Sequence, residues 1–278
     1  CIVNYRSEAY VKQCVESIYD NTGQSLQYEM IIVDNASTDS SCSIVSDNFP
    51  FVKLIQNPKN LGFARANNQG LRIAQGEFIL LLNNDTFVFG DSLEKLVAFL
   101  RENPTAGAVG PCLLNSDGAT IQVQGSGRGE KFWLATRPTE VQFLTGAALM
   151  IRREVLADVG ELDENFFFYN EDLDWCKRII DKQWKIYYLP QSRIIHYGGQ
   201  STKLNNIKTF VEGYRGGLYY CAKHHPGVFV LYRILIILLA ALAGLWYLLR
   251  LILWADKRRS ALYLKGYAAI FKIALFWK

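Results

Sequence analysis

Three short stretches of the chain concentrate side chains able to do chemistry. The first is Asn83-Asn84-Asp85, which ends the unbroken apolar run Phe78 to Leu82. A lone carboxylate behind two amides is a hard-oxygen ligand suited to a divalent cation, and such a cation can hold a diphosphate. The same tripeptide also suits a turn, where Asn and Asp bond their own backbone. The second stretch is Glu171-Asp172, with Asp174, directly after the aromatic run Phe166 to Tyr169. Adjacent acids behind an aromatic wall can raise a carboxylate pKa far enough to make it a base. Acids at a helix start serve equally well as partners of the helix dipole. The third is His196 in RIIHYGGQST, at a strand end before Gly198-Gly199. A lone His is more often structural than catalytic, but this position suits a metal or phosphate contact.

The elements that must position these groups alternate. Cys1 to Tyr5 reads as a strand, and Tyr10 to Tyr19 as a helix with Val11, Val15 and Ile18 on one face. Met30 to Val33 is a second strand, ending at Asp34-Asn35. Ser37, Thr38 and Asp39 supply cap-type residues for a helix through Ile44 and Val45, Val52 to Ile55 is strand-like, and Phe63 to Ala74 forms another helix. Gly76 stops that helix before Phe78 to Leu82, whose continuous apolar character fits a strand covered on both faces. The alternation predicts a doubly wound α/β unit with a mostly parallel sheet. Asp34-Asn35 and Asn83-Asn84-Asp85 then share the carboxyl edge of the sheet, where such folds bind ligands.

Between them, Asn60-Leu61-Gly62 lets backbone approach a ligand ahead of a helix start, and Arg65, Asn67 and Asn68 add donors. Neither G-x-G-x-x-G nor G-x-x-x-x-G-K-[ST] occurs, which disfavours a dinucleotide enzyme or a P-loop hydrolase. Further on come a helix from Ser92 to Glu102 and a Gly-rich loop from Gly125 to Gly129, expected to be mobile. The apolar run Phe143 to Ile151, a short helix from Arg153 to Val159 and a strand-like run from Lys185 to Leu189 follow.

With 278 residues the chain is long enough for one large domain with an appendage. Its net charge of +4 comes from basic residues that concentrate only near the carboxyl end, a poor pattern for nucleic-acid binding. The six cysteines are widely spaced, with no C-x-x-C pair and no nearby His that would suggest zinc. They read as reduced, mostly buried thiols of a cytosolic domain. Cys1-Ile2-Val3 opens inside a strand without an initiator Met, so a few preceding residues are expected, and no signal peptide is read.

Seven segments in order resemble family 2 glycosyltransferases of the GT-A fold: IVNYRS, IVDNASTDSS, NPKNLGFARANNQG, EFILLLNNDT, FLTGAALMIRREVL, LDENFFFYNEDLDWCKR and IIHYGGQST. The wording is similar to the bacterial rhamnosyltransferase-like branch, over about Cys1 to Thr202. The resemblance implies that Val3, Asn4 and Tyr5 border the nucleotide base and that Asp34 and Asn35 read base and ribose. Gly62, Arg65 and Asn67 would line the nucleotide or phosphate side. Asn83, Asn84 and Asp85 stand at the family's D-x-D-type motif, with Asp85 as ligand of a divalent cation, Mg2+ or Mn2+, and His196 beside it. Asp172, in the pair with Glu171, would be the catalytic base. Two departures are present: Asn83 and Asn84 replace aspartates of the metal motif, and Asn35 replaces the second Asp of a common D-D pattern. The Q-x-x-R-W motif of processive members is not found, which implies single-sugar transfer. The implied partners are a dTDP- or UDP-sugar donor and a lipid-linked glycan acceptor, with an in-line displacement that inverts the anomeric carbon. A rival reading is a non-catalytic, membrane-anchored nucleotide-sugar-binding or scaffold protein. Against it stand the intact Asp85, Glu171, Asp172 and His196.

The composition changes at Pro226, so residues 1–225 are expected to form the catalytic domain and 226–278 a membrane-associated helical segment. Val228 to Trp254 is nearly all apolar, broken by Arg233 and Arg250, and has the length of a bilayer span. Ala261 to Lys278, punctuated by Lys265, Lys272 and Lys278, reads as an amphipathic helix in the interface. A single span would carry Lys257-Arg258-Arg259 to the far side, against the positive-inside rule. A re-entrant hairpin bending near Ala243-Gly244 would keep both ends on the cytoplasmic face.

Overall fold

Short apolar strands joined by amphipathic helices can bury both faces of a sheet, and the amino-terminal half of the chain is built in this way. The computed structural model describes residues 1–23, 26–124, 131–198, 206–253 and 256–277. The Gly-rich loop from Gly125 to Gly129 lies outside the described residues. Contacts divide the chain into two units, Cys1–Glu164 with Glu171–Ser201, and Asn165–Asn170 with Thr202–Lys278.

In the first unit, β1 (Ile2–Asn4), α1 (Glu8–Asn21), β2 (Ile31–Asp34), α2 (Ser41–Asn48), β3 (Lys53–Gln56), α3 (Phe63–Ile73) and β4 (Phe78–Asn83) follow the expected alternation. After them come β5 (Thr86–Val88), α4 (Ser92–Glu102), β6 (Ala106–Leu114), β7 (Thr139–Glu140), β8 (Ala148–Arg152), α5 (Arg153–Val159), α6 (Glu171–Asp181) and β9 (Lys185–His196). Among the described residues the strand order is β3-β2-β1-β4-β8-β6-β9-β5, with β7 paired to β9. Strands β1 to β4, β6 and β9 run one way; β5, β7 and β8 run the other. The sheet is therefore mixed but mostly parallel. Its one inserted antiparallel strand in the centre is β8, the end of the run Phe143 to Ile151.

Alternate strand residues feed two core layers. Leu82 packs in one with Val11, Val15 and Leu96 of α1 and α4, and Leu81 in the other with Leu71, Val155 and Trp175 of α3, α5 and α6. Leu81 is 1% exposed, so truncating it to Ala would cost about 2–5 kcal/mol. The parallel register is what aligns the polar strand ends. Asn4 lies opposite Asp34 and Val3 opposite Asn83, so β1, β2 and β4 all end at one edge.

The second unit contains α7 (Asn206–His224), α8 (Pro226–Leu253) and α9 (Lys257–Leu275). Val211, Leu218, Ile236, Ala240, Ile270 and Ala274 form its core. Helices α8 and α9 run antiparallel: the Arg233 guanidinium donates to the carbonyls of Ala274 and Leu275 at 2.6 and 2.7 Å, and Tyr247 stacks on Tyr263 at 5.0 Å. A cation at a helix carboxyl end is favourable, so Arg233 serves this pairing rather than reaching alone for an interface. The bend expected near Ala243-Gly244 is not there. Helix α8 is unbroken over 28 residues, because Gly244 sits amid strong helix formers, and the reversal comes after Leu253. At about 42 Å, this helix exceeds the roughly 30 Å of a hydrocarbon core. It is the one helix among the described residues long and apolar enough to cross a membrane. Leu231, Leu242 and Ile252 on it are each about two-thirds exposed.

Candidate active site

The amino-terminal side of the crevice is a ladder of amides across three strand ends. Asn4 Nδ2 donates to Asp34 Oδ1 at 2.7 Å and to Ser37 Oγ at 3.2 Å, while Asn84 Nδ2 donates to Asn4 Oδ1 at 2.9 Å. The second carboxylate oxygen of Asp34 accepts from Ser37 N at 2.9 Å. Asn4, Asp34 and Asn84 are all buried. Ser37, anticipated as part of a helix cap, thus belongs to the site. Helix α2 begins later, at Ser41, whose N–H donates to Asp39 Oδ1.

Asn35 ties down the next loop. Its Nδ2 donates to Asn60 Oδ1 and Gly62 O, and its Oδ1 accepts from Asn57 Nδ2 and Leu61 N, at 2.9 to 3.3 Å. Gly62, at φ 90°, turns this loop into α3 with a backbone that side chains rarely adopt. Behind it Asn67 donates back to Phe63 O, and Asn68 holds Leu162 through both ends of its amide. Arg65 is exposed and reaches Glu164 at 3.5 Å. Val3 packs against the second core layer and Tyr5 lies under the Arg6 guanidinium, 5.3 Å away. The structure thus joins Asp34, Asn4 and Asn84 in one network and Asn35 with Gly62 in another, while Arg65 and Asn67 bond elsewhere.

Strand pairing brings Asp85 and His196 together. Thr86 of β5 lies opposite His196 of β9, and Asp85 Oδ1 is 3.4 Å from His196 Nε2. Asn83 Nδ2 is 3.2 Å from the same nitrogen. Gln122 Oε1 lies 2.8 Å from His196 Nδ1 and can only accept, so Nδ1 carries a proton and Nε2 is the nitrogen turned to Asp85 and Asn83. A carboxylate oxygen and an imidazole nitrogen this close call for a proton or a cation between them. Among the described residues no three His, Cys, Asp or Glu side chains gather at one point. Two protein donors fit Mg2+ or Mn2+ taking its other ligands from a diphosphate and water, the usual arrangement for a hard cation of this size. Gln122 fixing the tautomer is the supporting contact that such a histidine needs. Nothing in the sequence pattern around Gln122 marked it.

The carboxylate pair stands at the start of α6. Gly146 N–H donates to Asp172 Oδ2 at 3.0 Å, and Leu173 N–H to Asp172 Oδ1 at 2.8 Å. The next peptide ties this contact to the end of β4, because Asn83 N–H donates to Ala147 O at 2.9 Å. Gly146 was legible only as part of an apolar run, with no sign that its N–H would matter. Glu171 is 5% exposed, and its Oε2 has no hydrogen-bond partner among the described residues. Burial, reinforced by the neighbouring Asp172 charge, pushes Glu171 well above the usual carboxylate range. Burial also raises Asp172, against the pull of its bonds from Gly146 and Leu173. Asp172 accepts from N–H groups of two neighbouring residues, whereas Glu171 has only its own backbone N–H, so an anion is better stabilised at Asp172 and Glu171 is the more strongly raised of the pair. A partly accessible carboxylate raised in this way is a serviceable proton acceptor at neutral pH.

Residues 1–160 match the family model described as Glycosyl transferase family 2. An N-acetylglucosaminyl-diphospho-decaprenol L-rhamnosyltransferase of Mycobacterium tuberculosis is 26% identical over 234 residues, spanning 71% of this chain and 76% of its own length. The dTDP-rhamnosyl transferase RfbF of Shigella flexneri is 24% identical, over 64% of this chain and 63% of its own. Among solved structures, a mannosyltransferase from Pyrobaculum calidifontis in complex with GDP-Man and Mn2+ superposes with a TM-score of 0.60 at 17% identity, covering 100% of this chain and 86% of that one. That likeness bears on the fold, and the expected GT-A type of sheet agrees with it.

Proposed function

Since the chain belongs to glycosyl transferase family 2, we propose that it transfers one sugar, L-rhamnose from dTDP-rhamnose, to a lipid-linked glycan at the cytoplasmic face of a bacterial membrane. The product would be a precursor of cell-surface polysaccharide. Two relatives named as rhamnosyltransferases support the sugar, one of them by its name also supporting the dTDP donor. The diphospho-decaprenol in the other's name supports the lipid-linked acceptor. The exposed apolar length of α8 supports membrane attachment through residues 226–278, with the transferase carried by residues 1–225.

Asp172 acts as the base. The acceptor hydroxyl gives its proton to Asp172 as its oxygen bonds the anomeric carbon, and the bond from that carbon to the diphosphate breaks on the opposite face. One such displacement inverts the configuration and needs no covalent enzyme intermediate. Asp85 and His196 would hold a divalent cation, which when bound neutralises charge on the departing diphosphate. The amides of Asn4, Asn35 and Asn84 shape the donor side, and Glu171, kept neutral, leaves Asp172 as the single charge beside the acceptor.

The observation that carries this reading is the Asp172 carboxylate, raised by burial and pinned by Gly146 N–H next to the strand end that bears Asp85. Release of nucleotide from dTDP-, UDP- and GDP-sugars, with an acceptor and with or without a chelator, tests it. Turnover of a dTDP-sugar that chelator abolishes is expected. Donor binding without turnover of any sugar would favour the scaffold reading.

A further inference from the structure

The only charged residues of α8 are Arg233 and Arg250, and both are engaged on its packed side. Arg233 bonds the carbonyls at the end of α9, and the Arg250 guanidinium lies 5.9 Å from the centre of the Tyr247 ring, which stacks on Tyr263. The other face of α8 is left without a charge. Leu231, Leu235, Leu238, Leu242, Leu245 and Ile252 recur there at helical spacing, all exposed.

The helices packed on α8 are charged beside its middle. Helix α9 meets it at two levels, Ala274 at Arg233 and Tyr263 at Tyr247, and the exposed Lys265 and Lys272 lie between them. Helix α7 occupies the same interval. A Cβ at Gly217 would stand 3.1 Å from Tyr232 Oη, and Phe210 meets Tyr263 and Tyr267 edge-on at 5.9 and 5.3 Å. Between Phe210 and Gly217 come Glu212 and Arg215, an ion pair at 3.3 Å whose arginine is half exposed. From Arg233 to Tyr247 is about 21 Å around the midpoint of α8, most of a hydrocarbon core roughly 30 Å thick. Were α8 to cross a bilayer, Arg215, Lys265 and Lys272 would stand at the depth of the lipid tails, where each charge is costly.

Charge also selects the partner. Residues 206–278 hold eleven Lys and Arg against two acidic residues. Lys257, Arg258, Arg259, Lys265 and Lys272 are all exposed on α9. A bilayer with anionic headgroups satisfies both the apolar face and this excess, whereas a second copy of the unit would bring like charges together.

We propose that α7, α8 and α9 form a one-sided anchor that lies along an anionic bilayer surface instead of crossing it. The exposed face of α8 enters the outer part of the acyl chains, and the basic residues of α9 meet the headgroups. The proposal rests on the reading that residues 226–278 attach the chain to a membrane. It keeps Lys257-Arg258-Arg259 on the same side of the bilayer as the start of α8, with no bend in that helix.

The test measures partition of the full chain onto vesicles of phosphatidylcholine with or without phosphatidylglycerol. Leu231→Lys, Leu242→Lys and Ile252→Lys change exposed positions near the start, middle and end of the face. Each is expected to lower partition at least tenfold, and the three to agree within threefold, since all enter to one depth. Lys265→Leu combined with Lys272→Leu is expected to reduce the preference for phosphatidylglycerol at least tenfold. A loss at Leu242 more than tenfold beyond those at Leu231 and Ile252, or a lipid preference unchanged without the two lysines, would overturn the in-plane anchor while attachment stands. A wild-type chain that floats with neither vesicle would overturn the attachment reading itself. A dimer in sedimentation that Leu242→Lys dissociates would overturn the lipid assignment in favour of a second copy.

Discussion

At the ends of β1 and β2 both ends of the Asn4 and Asn35 amides have partners within the protein, whereas at the start of α6 Glu171 Oε2 has none among the described residues. The two regions are bonded in different ways. A closed network of neutral amides stabilises a shape, because removing any member strands another buried group. The acid pair is unevenly bonded: Asp172 accepts N–H bonds on both oxygens, while Glu171 Oε2 is buried without a partner among the described residues, which costs stability when Glu171 ionises. In the proposed reading, amides bonded at both ends shape the site, and the base is a hydrogen-bonded carboxylate raised by burial beside an under-bonded acid.

Substitutions that exchange the expected effects of the two regions would break this contrast. The largest loss should come from Asp172→Asn, which keeps the shape and removes the basicity. Steady-state kinetics should show kcat lower by about 10²–10⁴-fold, the usual worth of a general base, with donor affinity unchanged. Asp85→Ala follows, weakening cation-dependent donor binding by roughly 10–100-fold or more in titration calorimetry, with His196→Ala and Gln122→Ala losing less. Asn35→Ala should behave oppositely. Denaturant unfolding should show a loss of about 1–3 kcal/mol, because Leu61 N–H and the Asn57 amide lose an acceptor, while kcat changes little.

The smallest effect is a pH dependence in Glu171→Gln. Glu171 is raised in the fold above its unfolded value, so its contribution to stability is complete below the ordinary glutamate range and is lost as pH rises through the raised value. Gln cannot ionise. The variant should therefore match wild type at acid pH and grow relatively more stable as pH rises, which thermal melts across the range would show.

Much of this could be read from the sequence where local chemistry and topology agree. Buried parallel strands need continuous apolar runs, so Met30 to Val33 and Phe78 to Leu82 announced themselves, and their polar ends followed from chain direction. The acids at 171 and 172 were visible as charge behind aromatics. What stayed hidden were contacts made by backbone or by distant residues. Gly146 acts through an N–H that every residue but proline possesses, and Gln122 reaches His196 only because β9 pairs beside β6. Ser37 looked like a helix cap because the same hydroxyl suits either role. Arg233 read as an interfacial arginine because its carbonyl partners lie forty residues on, in α9. Tyr169 at φ 70° had no local signal, since a bulky residue rarely adopts that region, whereas Asn170 at φ 71° is of a type that tolerates it.

The central claim is that Asp172 takes the acceptor proton, and the pH dependence of single-turnover transfer tests it most directly. With a dTDP-sugar bound in saturating divalent cation and a short-chain acceptor added, the wild-type rate should rise with pH through a limb lying above the ordinary aspartate range, because burial raises Asp172. In Asp172→Asn that limb should disappear and the residual rate should be flat. A limb that persists unchanged in Asp172→Asn would contradict the account and assign the proton to another group.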